Sequence, residues 1–317
     1  MRRTSMLALA LVLVALPSIA AAQVQQVADS TFLPVISDPA FSARHLRVRL
    51  DEAHHNFHTL EGRYRAFGTL MRADGCELAS HLEPFSAESL DGFDVLVIAN
   101  ALADVPDSAS APSEASAFTP DEIEAVHRWV SEGGSLLLIA DHAPFGSAAA
   151  ALGARFGVDM SQGYTGDSLQ AAVPGGMTSI AFTRERGTLG DHPIMAGRKE
   201  TESVGKIVAF TGQSLRGPEG SAPLMILSDA AIDIPPETLS DDTQAMMSKA
   251  VPAKGRSMAV ALEVGRGRAV IQGEAGMLSA QIVIKPGQEP YKFGMNQPGL
   301  DNQQYALNVM RWLGRAE

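Results

Sequence analysis

Apolar and polar positions in the first half of the chain alternate between strand-like and helix-like spacing. Residues 45–50 alternate polar and apolar side chains, and residues 61–74 repeat apolar side chains at helical spacing. Residues 94–99 and 135–140 are short, mostly apolar runs, which is typical of strands buried on both faces. The pattern therefore predicts a strand, a helix and two further strands in a parallel sheet.

The helix between the last two strands has a start signal of its own. Thr119 and Glu122 have the spacing of a capping box, and Pro120 occupies the first helical position. Glycines at 133–134 end this helix before the next apolar run. This order predicts a parallel strand–helix–strand unit.

The second half is less regular. We expect a helix over residues 146–156, little regular structure over 157–203, and a polar surface excursion over 229–254. The remaining pattern predicts two strands, a β-hairpin and a closing helix, at 206–210, 224–227, 257–264 with 268–272, and 301–313.

These elements predict an α/β fold with a doubly wound, mostly parallel, flavodoxin-like sheet and a late antiparallel hairpin. We interpret residues 23–317 as one domain. Arg47 and Arg49 are unusual for a central parallel strand, so the first strand is expected nearer the edge.

The amino-terminus has the pattern of a secretory signal peptide. Two arginines precede an apolar run over residues 6–16, and alanines at 20–22 suit a signal peptidase. We therefore expect residues 1–22 to be removed, and the chain to be periplasmic or secreted. The apolar run is too short to span a membrane, and Cys76, the one cysteine, lies far from the signal, so neither a membrane span nor a lipid anchor is expected.

Composition narrows the class of partner. Of the 317 residues 45% are hydrophobic and 19% charged, which is ordinary for a globular protein with a core. The net charge of −11 argues against nucleic acid as a partner, because such proteins carry basic surfaces.

Polar side chains follow the predicted parallel strands where each strand ends. Ligands of open parallel sheets bind just beyond the carboxyl ends of the strands. We therefore expect one ionisable pocket built from four strand ends, at Asp51, Asn100, Asp141 with His142, and Glu274.

The first of these strand ends is rich in histidine. His54, His55 and His58 fall within five residues, and neutral imidazoles suit divalent metals. We predict Asp51, His54 and His58 as ligands of a divalent metal. The alternative is a solvated loop in which Asp51 or Asn56 bonds backbone amides.

Three further residues are predicted to be catalytic. Asp141 and His142 could supply a metal ligand and a general base, or an aspartate that orients a histidine, although adjacent side chains on an extended segment point to opposite sides. Glu274 lies between small residues that allow close approach of a ligand. The alternatives are a turn at Asp141 and an ordinary surface glutamate. Substrate-binding hydrogen bonds are predicted from Asn56, Asn100 and Asn296.

Several familiar catalytic motifs are absent from the sequence. It contains no Gly-x-Ser-x-Gly elbow, no His-Glu-x-x-His, no Walker loop and no Gly-x-Gly-x-x-Gly after a strand. Cys76 lies past the first helix, so we interpret it as a buried small residue and not as a nucleophile.

The sequence resembles a family of exported, largely uncharacterised proteins with a class I glutamine-amidotransferase-like fold. Similar domains occur beside unsaturated rhamnogalacturonyl hydrolases and are distantly like trehalose-utilisation proteins, so the resemblance implies a link to carbohydrate. The position that carries the nucleophile in true amidotransferases corresponds to residues 141–142, which hold no cysteine or serine, so glutaminase activity is not expected. The resemblance rests on residues 51–64, 96–100, 134–142, 210–213, 273–274 and 294–296.

Together these observations predict an exported carbohydrate-active hydrolase or lyase, with a small molecule or oligosaccharide as ligand. The alternative is a non-catalytic sugar- or partner-binding domain of the same fold. A plainer alternative is that the polar strand ends only stabilise loops.

Overall fold

The computed structural model describes residues 25–104, 115–173, 176–238 and 242–316, so the predicted signal peptide at 1–22 lies outside the described residues. The strands are β1 (Gln25–Ala28), β2 (Arg47–Asp51), β3 (Glu77–His81), β4 (Val95–Ala99), β5 (Ser135–Ile139), β6 (Asp159–Met160), β7 (Tyr164–Asp167), β8 (Ile180–Thr183), β9 (Lys206–Ala209), β10 (Leu215–Arg216), β11 (Ala222–Pro223), β12 (Ala231–Ile234), β13 (Val251–Pro252), β14 (Ala259–Val264), β15 (Gly267–Gln272), β16 (Ala280–Ile284) and β17 (Tyr291–Gly294). The α-helices are α1 (Arg65–Ala73), α2 (Pro120–Ser131), α3 (Phe145–Arg155), α4 (Pro193–Ala196), α5 (Thr243–Met247) and α6 (Asn302–Leu313).

Seven strands form a mixed central sheet in the order β11-β14-β15-β5-β4-β2-β3. The neighbours from β15 to β3 are parallel, whereas β14 and β11 add antiparallel pairs at the other edge. The predicted α/β class, the mostly parallel sheet and the late hairpin are confirmed. Within the described ranges no helix is long and apolar enough to cross a membrane.

Alternate residues of the parallel strands enter two separate apolar cores. Val97 and Leu137 belong to the core that contains residues of α1 and α6, whereas Leu96 and Leu138 belong to the core that contains residues of α2 and α3. Helices therefore cover both faces of the sheet. This explains why every residue of β4 and β5 is buried.

The sequence signals for the strand–helix–strand unit are confirmed. The Thr119 hydroxyl accepts from the backbone N–H of Glu122, and the Glu122 carboxylate accepts from that of Thr119. β2 lies one strand in from the edge, and the Arg47 guanidinium, 45% exposed, pairs with Asp94 at 3.0 Å. The edge strand β3 was not predicted, because its five residues carry only a weak apolar alternation.

Two expectations for the second half are wrong, and the polar excursion contains regular structure. Residues 224–227 form no strand; Met225 and Ile226 make isolated bridges instead. Residues 157–203 contain β6, β7, β8 and α4, and the excursion at 229–254 contains β12, which pairs with both β7 and β13. These strands have only two to four residues, and some of their buried side chains are polar, so they show no apolar pattern in the sequence. Asp233, for example, is buried and bonds Thr165 and Ser214.

A small separate sheet lies beside the central one. Its strand order is β1-β16-β17, with both pairings antiparallel. The chain reaches β16 directly after β15 and the short turn at residues 276–278, so this sheet stands next to the carboxyl edge of the parallel strands.

Candidate functional site

A cavity of about 1200 Å³ opens at the carboxyl edge of the parallel strands. The ends of β4, β5 and β15 contribute Asn100, Asp141 with His142, and Glu274, and the loop after β2 contributes His58. The structure thus brings together residues from four strand ends that are far apart in sequence. Both adjacent residues of the 141–142 pair line the cavity, because the chain has already left the extended strand at Ile139.

Asp141 is held from several directions. Its backbone N–H donates to the side-chain oxygen of Asn100 at 2.9 Å, and its carboxylate accepts from the backbone N–H groups of His142 and Ala275. Burial raises the pKa of Asp141, although the neighbouring His142 opposes this shift. Because 13% of its side chain remains exposed, the carboxyl group can contact a ligand in the cavity.

Glu274 is the more deeply buried carboxyl group, at 2% exposed. Its two oxygens accept from the backbone N–H groups of Gly276 at 2.6 Å and Met277 at 2.8 Å. Burial, and next the charge of Asp141, raise the pKa of Glu274 well above its usual value. The two neighbouring carboxyl groups therefore keep a proton to a higher pH than isolated carboxyl groups would.

The glycine before Glu274 has a packing role. A Cβ at Gly273 would collide with the carbonyl oxygen of Gln213, a residue that bonds Gly273 through its backbone. The Gln213 side chain also donates to the carbonyl oxygens of Ala140 and Asp141. Gln213 therefore fixes the turn that presents Asp141. The resemblance covered residues 210–213, but no local pattern gave Gln213 this role.

His142 has a defined orientation. Its Nδ1 lies 2.7 Å from the carbonyl oxygen of Ala143, and because a carbonyl can only accept, Nδ1 is the protonated nitrogen. Nε2 then carries the lone pair and lies 4.0 Å from Oδ1 of Asp141. The ring stacks on Tyr164 at 4.1 Å between centroids. Nε2 of His142 is therefore placed to act as a base in the cavity.

His58 lines the same cavity in a different state. Its side chain is 3% exposed, and its buried Nδ1 has no hydrogen-bond partner among the residues that the structure describes. Burial, followed by the nearby charge of Arg63, lowers the pKa of His58 to about 3. His58 is therefore a neutral imidazole at ordinary pH, packed against Tyr64 and Phe57.

Asp51 and His54 lie together, outside the lining of the cavity. His54 Nδ1 bonds Asp51 at 2.9 Å, and its Nε2 bonds Glu122 at 2.8 Å. Burial opposes a charge on His54, but the two carboxylates outweigh it and raise its pKa. In the part of the chain that the structure describes, no three His, Cys, Asp or Glu side chains are grouped so as to hold a metal ion. Asp51, His54 and His58 are therefore not brought to one point.

The two other asparagines predicted to bind substrate make bonds within the protein. Asn56 donates to Asp51 and accepts from the backbone of His54. Asn296 donates to Asp29 and so ties the end of β17 to the segment after β1. Of the three predicted asparagines, Asn100 is the one that lines the cavity.

The cavity also contains residues that the sequence did not single out. Phe57, Phe145 and Tyr164 present aromatic rings to it, and the side chain of Phe57 is 48% exposed. Phe57 lies in the loop after β2, Phe145 begins α3 and Tyr164 begins β7, so they come together only in the fold. Cys76 lies at the opposite end of the sheet, just before β3, and burial raises the pKa of its thiol to about 12, which agrees with a packing role.

Comparisons with known proteins give a likeness of fold. No family model matches the chain, and no curated protein matches it. Among solved structures, the mmIFT52 N-terminal domain has a TM-score of 0.57 at 12% identity, covering 84% of this chain and 97% of that one. At this identity the similarity supports the fold alone.

Two further structures are similar at a lower level. A cytoplasmic protein from Salmonella typhimurium has a TM-score of 0.47 at 12% identity, covering 84% of this chain and 98% of that one. A ThuA-like protein from Bacteroides uniformis has a TM-score of 0.45 at 11% identity, covering 88% and 94%. The structural neighbours thus include ThuA-like proteins.

Proposed function

We propose that this chain is an exported carbohydrate-active hydrolase or lyase, and that its active site is the cavity at the carboxyl ends of β4, β5 and β15. One observation carries the proposal: two carboxyl groups with raised pKa values, Asp141 and the buried Glu274, share a cavity with His142, whose neutral ring carries its lone pair on Nε2. Acid–base catalysis needs a proton donor and a proton acceptor within reach of one substrate, and this arrangement supplies both.

In the proposed reaction His142 is the base and the carboxyl pair is the acid. For hydrolysis, Nε2 of His142 takes a proton from water as the oxygen attacks the anomeric carbon, and the carboxyl pair donates its proton to the departing oxygen. For elimination, His142 takes a proton from a sugar carbon, a double bond forms, and the carboxyl pair again protonates the departing oxygen. Asn100 positions the acid, since it bonds the backbone of Asp141.

The cavity wall supports a saccharide as the ligand. Phe57 and Tyr291 expose 48% and 41% of their surface, and aromatic rings of this kind pack against the apolar faces of sugar rings. Polar groups between them can bond hydroxyl groups.

Four finer points belong to the same proposal. The fold is a flavodoxin-like, glutamine-amidotransferase-like domain over residues 23–317. Residues 1–22 are a cleaved signal peptide, and the chain is periplasmic or secreted. A divalent metal remains a proposal, although Asp51, His54 and His58 do not meet at one point, and substrate contact from Asn56 and Asn296 is also a proposal. Amino-terminal sequencing of exported protein that begins at Gln23 supports the signal.

The test is turnover of a saccharide panel by the purified protein. Reducing ends report hydrolysis, and ultraviolet absorbance reports an unsaturated elimination product. We expect His142→Gln to lower kcat by about a hundredfold or more, while the matched control His45→Gln, an exposed histidine outside the cavity, retains it.

The outcomes separate the two function classes. Saccharide binding without product in any assay overturns the enzyme and supports the non-catalytic binding domain. Elemental analysis of the same preparations, with His58→Ala and Asp141→Ala, tests the metal: stoichiometric metal lost in both variants supports it, and no metal after supplementation overturns it.

A further inference from the structure

The cavity is more basic than the protein around it. The chain as a whole has a net charge of −11, yet four cationic side chains line the cavity: Arg63, Arg186, Lys206 and Lys285. None of the four makes an ion pair with the described residues. The acidic residues in the lining are Glu185, Asp141 and Glu274, and burial raises the pKa of the last two.

Arg63 has the most defined geometry of these cations. Its Nη1 donates to the side-chain oxygens of Gln26 on β1, at 3.2 Å, and Gln281 on β16, at 3.1 Å. The guanidinium lies over the ring of Phe57, 4.5 Å from the centroid. Three neutral partners from separate elements thus hold this cation in one orientation.

The same contacts leave one edge of the guanidinium unused. Nη1 is occupied by the two glutamines, whereas Nε and Nη2 have no hydrogen-bond partner among the described residues. These two nitrogens form the fork that binds a carboxylate with two parallel hydrogen bonds. A half-buried arginine held by neutral groups, with its fork free in a cavity, lacks only a negative partner.

We propose that the ligand of this cavity is an acidic saccharide, whose carboxylate binds the Nε–Nη2 edge of Arg63. This inference rests on the proposed saccharide site and adds the charge of its ligand. The sugar ring carrying the carboxylate packs on the exposed face of Phe57 beside Arg63. The cations of Arg186, Lys206 and Lys285 raise the local concentration of the anion without contacting it directly.

The experiment measures equilibrium binding and needs no turnover. Titration calorimetry compares oligogalacturonate with a neutral galactose oligomer of the same length, and galactose 6-phosphate with galacturonate. We expect the acidic oligomer to bind about tenfold more tightly than the neutral one, as a charge-assisted bidentate contact allows. Arg63→Gln removes this preference, and the matched control Arg65→Gln, an exposed arginine on α1 outside the cavity, retains it.

Three results overturn the inference. If the acidic oligomer binds no more tightly than the neutral one, or if neither oligomer binds, the ligand is not an acidic saccharide. If the Arg63→Gln variant still prefers the acidic oligomer, a residue other than Arg63 binds the carboxylate. If galactose 6-phosphate binds more tightly than galacturonate, the anionic group of the ligand is a phosphate and not a carboxylate. Because catalysis is not measured, a charge preference without turnover refutes only the proposed enzyme, and turnover without a preference refutes only this inference.

Discussion

At the scale of single residues, burial and hydrogen-bond partners decide the chemistry of three histidines that follow strand ends. His54 is held between two carboxylates and is favoured as a cation. His58 is buried, its Nδ1 has no hydrogen-bond partner among the described residues, and it stays neutral. The neutral ring of His142 carries its lone pair on Nε2. The sequence placed all three correctly after strand ends. It could not assign their states, because each depends on partners such as Glu122 that lie far away along the chain.

The low pKa of His58 predicts a sensitivity to acid. In the unfolded chain His58 takes up a proton near pH 6.5, whereas in the folded protein it does so only at about 3. Its contribution to stability is therefore present above 6.5 and is lost as the pH falls toward 3. Between pH 7 and 4 the wild type should lose about 3 kcal/mol more than His58→Phe.

Urea unfolding at both pH values measures this difference. His45→Phe, which removes an exposed histidine, serves as the control and should lose as much as the wild type. Equal losses in the wild type and in His58→Phe would show that His58 is not buried as a neutral group.

At the scale of elements, strands and helices with strong local signals were predictable, and those defined by partners were not. The capping box fixed the start of α2 to the residue, and the buried runs gave β4 and β5. β3 and β12 have weak patterns of their own and exist because neighbouring strands supply hydrogen bonds. The same holds for the site. The polar residues at the strand ends could be predicted from the sequence, but the roles of Gln213 and Phe57 could not.

The two residues of the α2 capping box should contribute unequally to stability. Thr119 caps the helix only, so Thr119→Ala should cost about 1 kcal/mol of unfolding free energy. Glu122 also bonds His54 and the backbone N–H of Phe85, so Glu122→Ala leaves Nε2 of the buried His54 and this N–H without their partner and should cost about 3 kcal/mol.

Chemical denaturation of the two variants, with the exposed Asp121→Ala as control, measures both costs. Similar losses in Thr119→Ala and Glu122→Ala would mean that the contact with His54 contributes nothing.

At the scale of the whole molecule, one buried arginine joins distant parts of the chain. Arg311 on α6 bonds Asp74, after α1, through two nitrogens at 2.9 and 2.7 Å, and lies 3.1 Å from Glu202. All three side chains are buried. This cluster links the first helix to the last, which the sequence could not reveal, since its members lie more than a hundred residues apart.

Removing one member of this cluster should be costly. Arg311→Met leaves the buried Asp74 carboxylate without its cation, whereas Glu202 keeps Arg198, and we expect a loss of about 3–5 kcal/mol of unfolding free energy. Thermal and urea unfolding measure it, with Arg65→Met as an exposed control. The double variant Asp74→Asn with Arg311→Met should lose less than the sum of the two single variants; strict additivity would contradict the direct contact.

The order of strands in the central sheet has a consequence for synthesis. β5 is complete at Ile139, but β15, its neighbour on one side, begins only at Gly267. While the ribosome makes the intervening residues, β5 presents an apolar strand with an unpaired edge, which is a template for aggregation. The nascent chain therefore cannot pair this edge until residues 267–272 have been made, and it should depend on chaperones that cover the edge in the meantime.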